Sequence, residues 1–198
     1  MSDKWKKDNS EKSVRSNRYQ RSMDEDTSIF SCQINIATQI ECQPTCQGFN
    51  GKPCKNNVLQ GFKSNLTSES HPLVEIAMMG AKGKGIRAKK FIPENTFIAE
   101  YIGQKLRPND GKIKYGRYIM KIGDDFYDAE SMSSYAQLIN NGCDPNCKVE
   151  WWEVDGKMRA KVIAMRNIAE GKELTIEYKW NRREIPCYCE FSHCKGYI

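Results

Sequence analysis

Three cysteines stand within eight positions near the C-terminus: Cys187, Cys189 and Cys194, in the run CYCEFSHC. Thiolates at that spacing suit a zinc ion, which takes four tetrahedral ligands with sulfur at about 2.3 Å. A fourth ligand must come from elsewhere, and His193, Cys143 and Cys147 are the candidates by residue type. A second group, Cys32, Cys42, Cys46 and Cys54, lies among Gln, Asn, Gly and Pro with little apolar material around it. Such a stretch cannot be held by burial, and a metal is the usual substitute. The chain has nine cysteines, an odd number, and its first residues contain no apolar leader. Both facts favour a reducing compartment, where clustered cysteines bind metal more often than they form disulfides.

Three further motifs carry less when each is taken alone. In Lys82-Gly83-Lys84-Gly85-Ile86, two glycines allow a backbone to approach a ligand closely, although a lone pair of this kind is more often a turn. Ile139 to Cys147 reads INNGCDPNC, a tight irregular turn that presents a cysteine well. Glu173 to Tyr178 reads ELTIEY, by itself a β-strand ending in a half-buried tyrosine.

The elements that must position these residues are short. PLVEIAMMG, KKFIPENTFIAEYIG, RYIMKIG, CKVEWWEV, KMRAKVIAM and ELTIEY are rich in β-branched and aromatic residues and are separated by turn residues. Asp155-Gly156 marks a two-residue hairpin between the fourth and fifth runs. Ser131 to Asn141 is the best candidate for a short helix. No βαβ alternation occurs, so the fold class expected is mainly β with short helices. Residues 1–30 hold seven basic and six acidic side chains without periodicity and read as a flexible polar tail. The division expected is therefore that tail, a zinc-binding segment at 31–61, a main body at 72–180 and a second zinc-binding segment at 181–198. The chain is 198 residues with a formal charge of +6. Its mean hydropathy is −0.71. No window nears the roughly 18 apolar residues of a membrane span.

Taken together and in this order, the motifs resemble those of the SET-domain protein lysine methyltransferases. The family's GxG, EYxGE, NHSCxPN and ELTxxY runs and its cysteine-rich post-SET tail correspond to Gly83-Lys84-Gly85, Glu100 to Gln104, Asn140 to Asn146, Glu173 to Tyr178, and Cys187, Cys189 and Cys194. The resemblance covers roughly residues 32–198. Cys42-x3-Cys46 followed by CKNNVLQ is similar to the end of an AWS (associated-with-SET) module, and DPNCKVEWWEVDGKMR is similar to the group acting on lysine 36 of histone H3. The fold this implies is a SET fold of several small sheets and a knot-like turn. AWS modules usually hold more cysteines and a second zinc. With only the last four here, the resemblance implies one zinc on Cys32, Cys42, Cys46 and Cys54. It implies another on Cys143, Cys187, Cys189 and Cys194, with His193 a bystander and Cys147 free.

The activity implied is transfer of a methyl group from S-adenosylmethionine to a lysine amine, with the zincs structural. By resemblance Tyr178 is the catalytic tyrosine, and Tyr101 and Tyr118 stand near the lysine channel. Lys82, Gly83, Lys84, Tyr118, Asn140, Asn141 and Tyr188 would bind the cofactor. The implied partners are the histone H3 tail and the nucleosome, with non-specific electrostatic contact to its DNA, in the nucleus, by a monomer with no membrane association. Four positions depart from the family pattern: Asn141 replaces its His, Lys84 the usual Trp between the glycines, Gln137 the Arg that opens the NHSC run, and Ile176 a Phe or Tyr that influences how many methyls are added. Two alternatives follow from them. One is a methyltransferase acting on another lysine, histone or not. The other is a zinc-stabilised chromatin-binding module with weak catalysis.

Overall fold

The computed structural model describes residues 35, 37–43, 45–46, 54, 56, 71–131, 134–179 and 185–198. The chain divides into two compact units, Met1–Asn57 and Val58–Ile198. The tail expected at 1–30 and the candidate ligand Cys32 lie outside the described residues.

In the first unit the described residues form a small hydrogen-bonded loop. The Cys42 backbone N–H donates to Asn56 O at 2.8 Å, and Asn56 Nδ2 donates to Ile40 O at 2.9 Å. Asn56 is buried, and its amide supplies the fixed geometry that apolar contacts would supply elsewhere.

The described residues of the second unit include ten short strands. β1 (Val74–Met78) pairs antiparallel with β2 (Lys84–Ala88). β3 (Phe97–Tyr101), β9 (Lys157–Ala164) and β8 (Cys147–Val154) form a sheet in that spatial order. β4 (Gln104–Lys105), β6 (Asp125–Asp128) and β5 (Ile119–Ile122) form another, with the one-turn helix α1 (Lys112–Tyr115) in the connection from β4 to β5. β7 (Asn140–Asn141) and β10 (Thr175–Ile176) pair in parallel. The mainly β expectation holds, and no helix among the described residues is long and apolar enough to cross a membrane.

The strand pattern follows from burial. β9 is the central strand of its sheet, so Ala160, Lys161 and Val162 are buried in succession, where an edge strand would alternate. Lys161 tolerates this because its ammonium lies 3.7 Å from the centre of the Trp152 ring. The β8–β9 turn has Asp155 at φ 49° and Gly156 at φ 74°, the doubly left-handed turn that Asp-Gly favours. The core includes Ile86, Ile92, Ile98, Ile139, Val162, Ile168 and Leu174, all essentially unexposed.

The helix expected over Ser131–Asn141 is corrected. A 3-10 turn spans Tyr135–Leu138, with Ser134 Oγ accepting from the Ala136 N–H. The chain is extended again by Ile139 because Asn140 and Asn141 pair with β10. Tertiary pairing outweighs local preference here. ELTIEY also forms less strand than its pattern suggests, only Thr175–Ile176.

Candidate active site and metal clusters

Two segments, 91 and 33 residues earlier in the chain, meet at Glu173. Its Oε1 accepts from Asn140 Nδ2 at 3.0 Å, and its Oε2 pairs with Lys82 Nζ. Asn140 Nδ2 also reaches Lys84 O at 3.4 Å. The glycine turn and the Asn-rich turn are thus joined through one carboxylate. Gly83 takes φ +77°, a conformation that favours glycine, and a Cβ on Gly85 would lie 2.5 Å from Asn140 Nδ2. Lys84 itself is exposed. This close approach of backbone and amides around Lys82, Gly83, Lys84 and Asn140 fits the polar end of a small-molecule cofactor.

Asn141 links two further parts. Its Oδ1 accepts from the Tyr178 backbone N–H at 3.0 Å, and its Nδ2 lies 3.6 Å from Cys187 Sγ. Asn146 clamps the same turn. It donates to Glu173 O at 2.8 Å and accepts from the Thr175 N–H at 2.9 Å.

Tyr101, Tyr118 and Tyr178 line one cavity of about 620 Å³, together with Gln137, Ile139 and Ile176. The Tyr178 hydroxyl donates to Ile139 O at 2.7 Å, and the Tyr101 hydroxyl donates to Tyr118 O at 2.6 Å. Burial, reinforced by Tyr118 and Glu173, pushes the Tyr178 phenol up to about 12. Burial, reinforced by Tyr178, also raises the Tyr101 phenol. Both therefore stay neutral at physiological pH, able to orient a group but not to act as strong bases.

The sulfurs of Cys143, Cys187, Cys189 and Cys194 all lie within 4.8 Å of one another. A tetrahedron with 2.3 Å zinc–sulfur bonds has sulfur–sulfur edges of about 3.8 Å. The Cys143–Cys187 and Cys143–Cys194 separations are 3.9 and 3.7 Å. Donor type, number and spacing all fit zinc. Of the candidates for the fourth position, Cys143 is the one brought in. His193 contacts Ser192 and Phe191, and Cys147 is a buried thiol raised to about 12 by desolvation. Tyr188, between two of these cysteines, is 48% exposed.

In the first unit, Cys42, Cys46 and Cys54 bring their sulfurs within 4.8 Å of one another. Cys42 Sγ accepts from Asn56 Nδ2 at 3.4 Å and Asn35 Nδ2 at 3.5 Å, and Cys54 Sγ accepts from the Asn56 N–H at 3.4 Å. N–H donors aimed at sulfur suit thiolates and support metal ligands from behind.

Sequence reasoning missed Glu173, Asn146 and Asn56. Glu173 opens a strand-like run, and nothing in its local pattern marks a carboxylate with two partners far away in sequence.

Comparison with known proteins follows the same lines. The SET domain model matches residues 83–179. Histone-lysine N-methyltransferase SETD2 of Homo sapiens is 31% identical over 178 residues, 83% of this chain and 7% of the relative. A histone-lysine N-methyltransferase of Schizosaccharomyces pombe named as H3 lysine-36 specific is 33% identical over 178 residues, 83% of this chain and 21% of that protein. Histone-lysine N-methyltransferase Set2 of Drosophila melanogaster is 32% identical over 180 residues, again 83% of this chain and 7% of the relative. The chain spans a small fraction of the length of these relatives. Gly83 to Ile86 of the glycine turn, the tyrosine-lined cavity and the Asn-rich turn fall inside the matched span, and residues 83–179 of this chain are a SET domain.

Proposed function

We propose that the chain is an S-adenosylmethionine-dependent protein lysine methyltransferase acting on histone H3 in nucleosomes, at lysine 36. The observation that carries the reading is the convergence of Tyr101, Tyr118 and Tyr178 on one cavity beside the Lys82–Asn140–Glu173 cluster. The names of the relatives, histone-lysine N-methyltransferases with H3 lysine-36 specificity among them, supply the substrate class.

When bound, the cofactor would supply an electrophilic methyl group for the lysine nitrogen. The chain's own residues make that nitrogen available and hold it in line. A free lysine amine has a pKa near 10.4, so it must lose a proton first. A cavity walled by Ile139, Ile176 and three tyrosines disfavours the ammonium by desolvation. The Tyr178 oxygen, fixed by its bond to Ile139 O, aligns the reacting groups, and proximity of this kind is a large part of such catalysis. Lys82, Gly83, Lys84, Asn140 and Asn141 would hold the cofactor, and Tyr188 would cover its adenine face. The two cysteine clusters would each hold a structural zinc, with Cys32 completing the first. The substrate places the chain in the nucleus on chromatin, and the net charge of +6 suits weak non-specific contact with nucleosomal DNA by a monomer.

The test is a radiolabelled methyl-transfer assay on recombinant nucleosomes. It compares wild type, Tyr178→Phe, and nucleosomes with lysine 36 of histone H3 replaced. Label lost in both controls supports reaction, residue and site together. Label surviving the histone change moves the site to another lysine. No label from a folded, zinc-loaded wild type overturns the enzyme and leaves the chromatin-binding alternative.

A further inference from the structure

β8 carries two adjacent tryptophans on opposite faces of its sheet. Trp152 is buried, with Nε1 donating to Glu150 Oε2 at 2.9 Å and the Lys161 ammonium over its ring. Trp151 is 42% exposed. A large apolar ring left open to solvent calls for an explanation when it borders a cavity, and Trp151 lines the one shared by Tyr101, Tyr118 and Tyr178. The strand register relates it to the tyrosines. Tyr101 of β3 and Trp151 of β8 both pair with Ala160 of β9, so the two rings belong to the same face of the sheet. Two strand spacings separate their backbones by about 10 Å. Val149, two residues before Trp151 and on that same face, is half-buried and also lines the cavity. This part of the wall is therefore apolar and within reach of a group entering from solvent.

We infer that Trp151 is a specificity-determining residue, whose ring packs on an apolar side chain of the substrate two or three positions from the target lysine. The inference rests on the methyltransferase reading and deepens it. An extended peptide advances about 3.3 Å per residue, so two or three residues cover the distance from Tyr101 to Trp151. An aromatic ring could instead take a cationic side chain. The charges around the cavity speak against that occupant. Among the described residues, the charged side chains lining it are Arg117, Lys121, Lys148, Lys179 and one acid, Glu177. Glu177 is paired with Lys195, and Lys148 with Glu150. The surplus is positive, which repels a second cation and leaves an apolar side chain as the occupant that Trp151 and Val149 fit.

The experiment uses the full chain as wild type, Trp151→Ala and Trp151→Phe, with histone H3 peptides spanning lysine 36. In each peptide one residue two or three positions from the lysine, on either side, is set in turn to leucine, glycine or arginine. Affinity is read by fluorescence anisotropy of labelled peptide, and kcat and KM by radiolabelled methyl transfer. For wild type, leucine at one of these positions should bind about tenfold tighter than glycine, the scale of burying one aliphatic side chain, with the difference in KM rather than kcat. Trp151→Ala should abolish that ratio, and Trp151→Phe should keep most of it. A leucine preference that survives Trp151→Ala, no leucine preference in wild type, or an arginine preference that depends on Trp151 would each overturn the inference. A wild type that shows the leucine ratio in binding yet transfers no methyl to any peptide or nucleosome would instead overturn the methyltransferase reading beneath it.

Discussion

Glu173 shows how one side chain can organise two motifs. Its two oxygens hold Lys82 and Asn140, 91 and 33 positions earlier in the sequence, and that arrangement requires Gly85 to have no side chain. A Cβ there would stand 2.5 Å from Asn140 Nδ2 and 2.7 Å from Met79 Cγ. Gly85→Ala should therefore cost about 1–3 kcal/mol of stability by overpacking and weaken S-adenosylmethionine binding, read by denaturant melts and calorimetry. Gly111→Ala is the matching control. It has φ −59° at the start of α1 with nothing within 4 Å of a new Cβ, so it should be neutral or slightly stabilising. Unchanged behaviour of both variants would show that the contact around Asn140 is not tight. The glycine motif was legible only in the company of the other motifs, since such a pair alone is more often a turn. Glu173 was not, because its meaning comes wholly from partners 33 and 91 positions away.

At the scale of elements, what was local was legible and what was tertiary was not. The Asp-Gly hairpin and the eight-residue strands β8 and β9 follow from turn chemistry and β-branched patterning along one stretch of chain. The helix expected over 131–141 fails because the residues after Leu138 are claimed by β10. The entry to β1 depends on a buried histidine that no pattern announces. His71 Nδ1 accepts from the Leu73 and Val74 N–H groups, both at 3.2 Å, and Nε2 lies 3.0 Å from Ile98 O. The ring therefore carries its proton on Nε2 and is neutral. Burial lowers its pKa, hydrogen bonding to Ile98 O works the other way, and the charge of Lys89 lowers it further. Tyr135 packs edge-on against the ring, and Lys89 Nζ reaches the His71 carbonyl, so these neighbours among the described residues offer no anion. Because the folded pKa lies below the unfolded value of 6.5, the unfolded chain binds more protons between the two. Stability is complete above about pH 6.5 and falls as pH drops through that window toward the folded pKa, then levels off. Urea melts at closely spaced pH values should show this slope in wild type and lose it in His71→Gln. A wild-type stability that stays flat through that range would refute the neutral assignment.

Across the whole molecule, the cysteines were the most legible feature and their consequences the least. Spacing pointed to metal at the C-terminal cluster, and cysteines in a stretch with little apolar material pointed to it at the other. It did not reveal that Asn141 stands between Cys187 Sγ and the Tyr178 backbone N–H, at 3.6 and 3.0 Å. That amide couples the C-terminal cluster to the tyrosine proposed for catalysis. Four sulfurs at these separations cannot all be thiolates unless a cation holds them. With no cation, burial pushes the Cys187 thiol up to about 12, and a protonated thiol is a poorer acceptor for Asn141. The full chain should hold two zinc ions, one for each cysteine cluster, by elemental analysis. Cys143→Ser should lose one of them, because a hydroxyl is a poor zinc ligand where a thiolate is needed. If zinc serves only to tether the last residues, this variant should keep the wild-type environment of Tyr178. If Asn141 transmits the cluster's geometry, the amide signal of Tyr178 should shift on metal loss, and S-adenosylmethionine affinity should fall about tenfold or more. Asn141→Ala separates the two cases. It leaves all four thiolates and both zincs in place, yet should shift the same amide and weaken the same binding. Full zinc content with an unmoved Tyr178 signal in Asn141→Ala would show that the cluster and the cavity are independent.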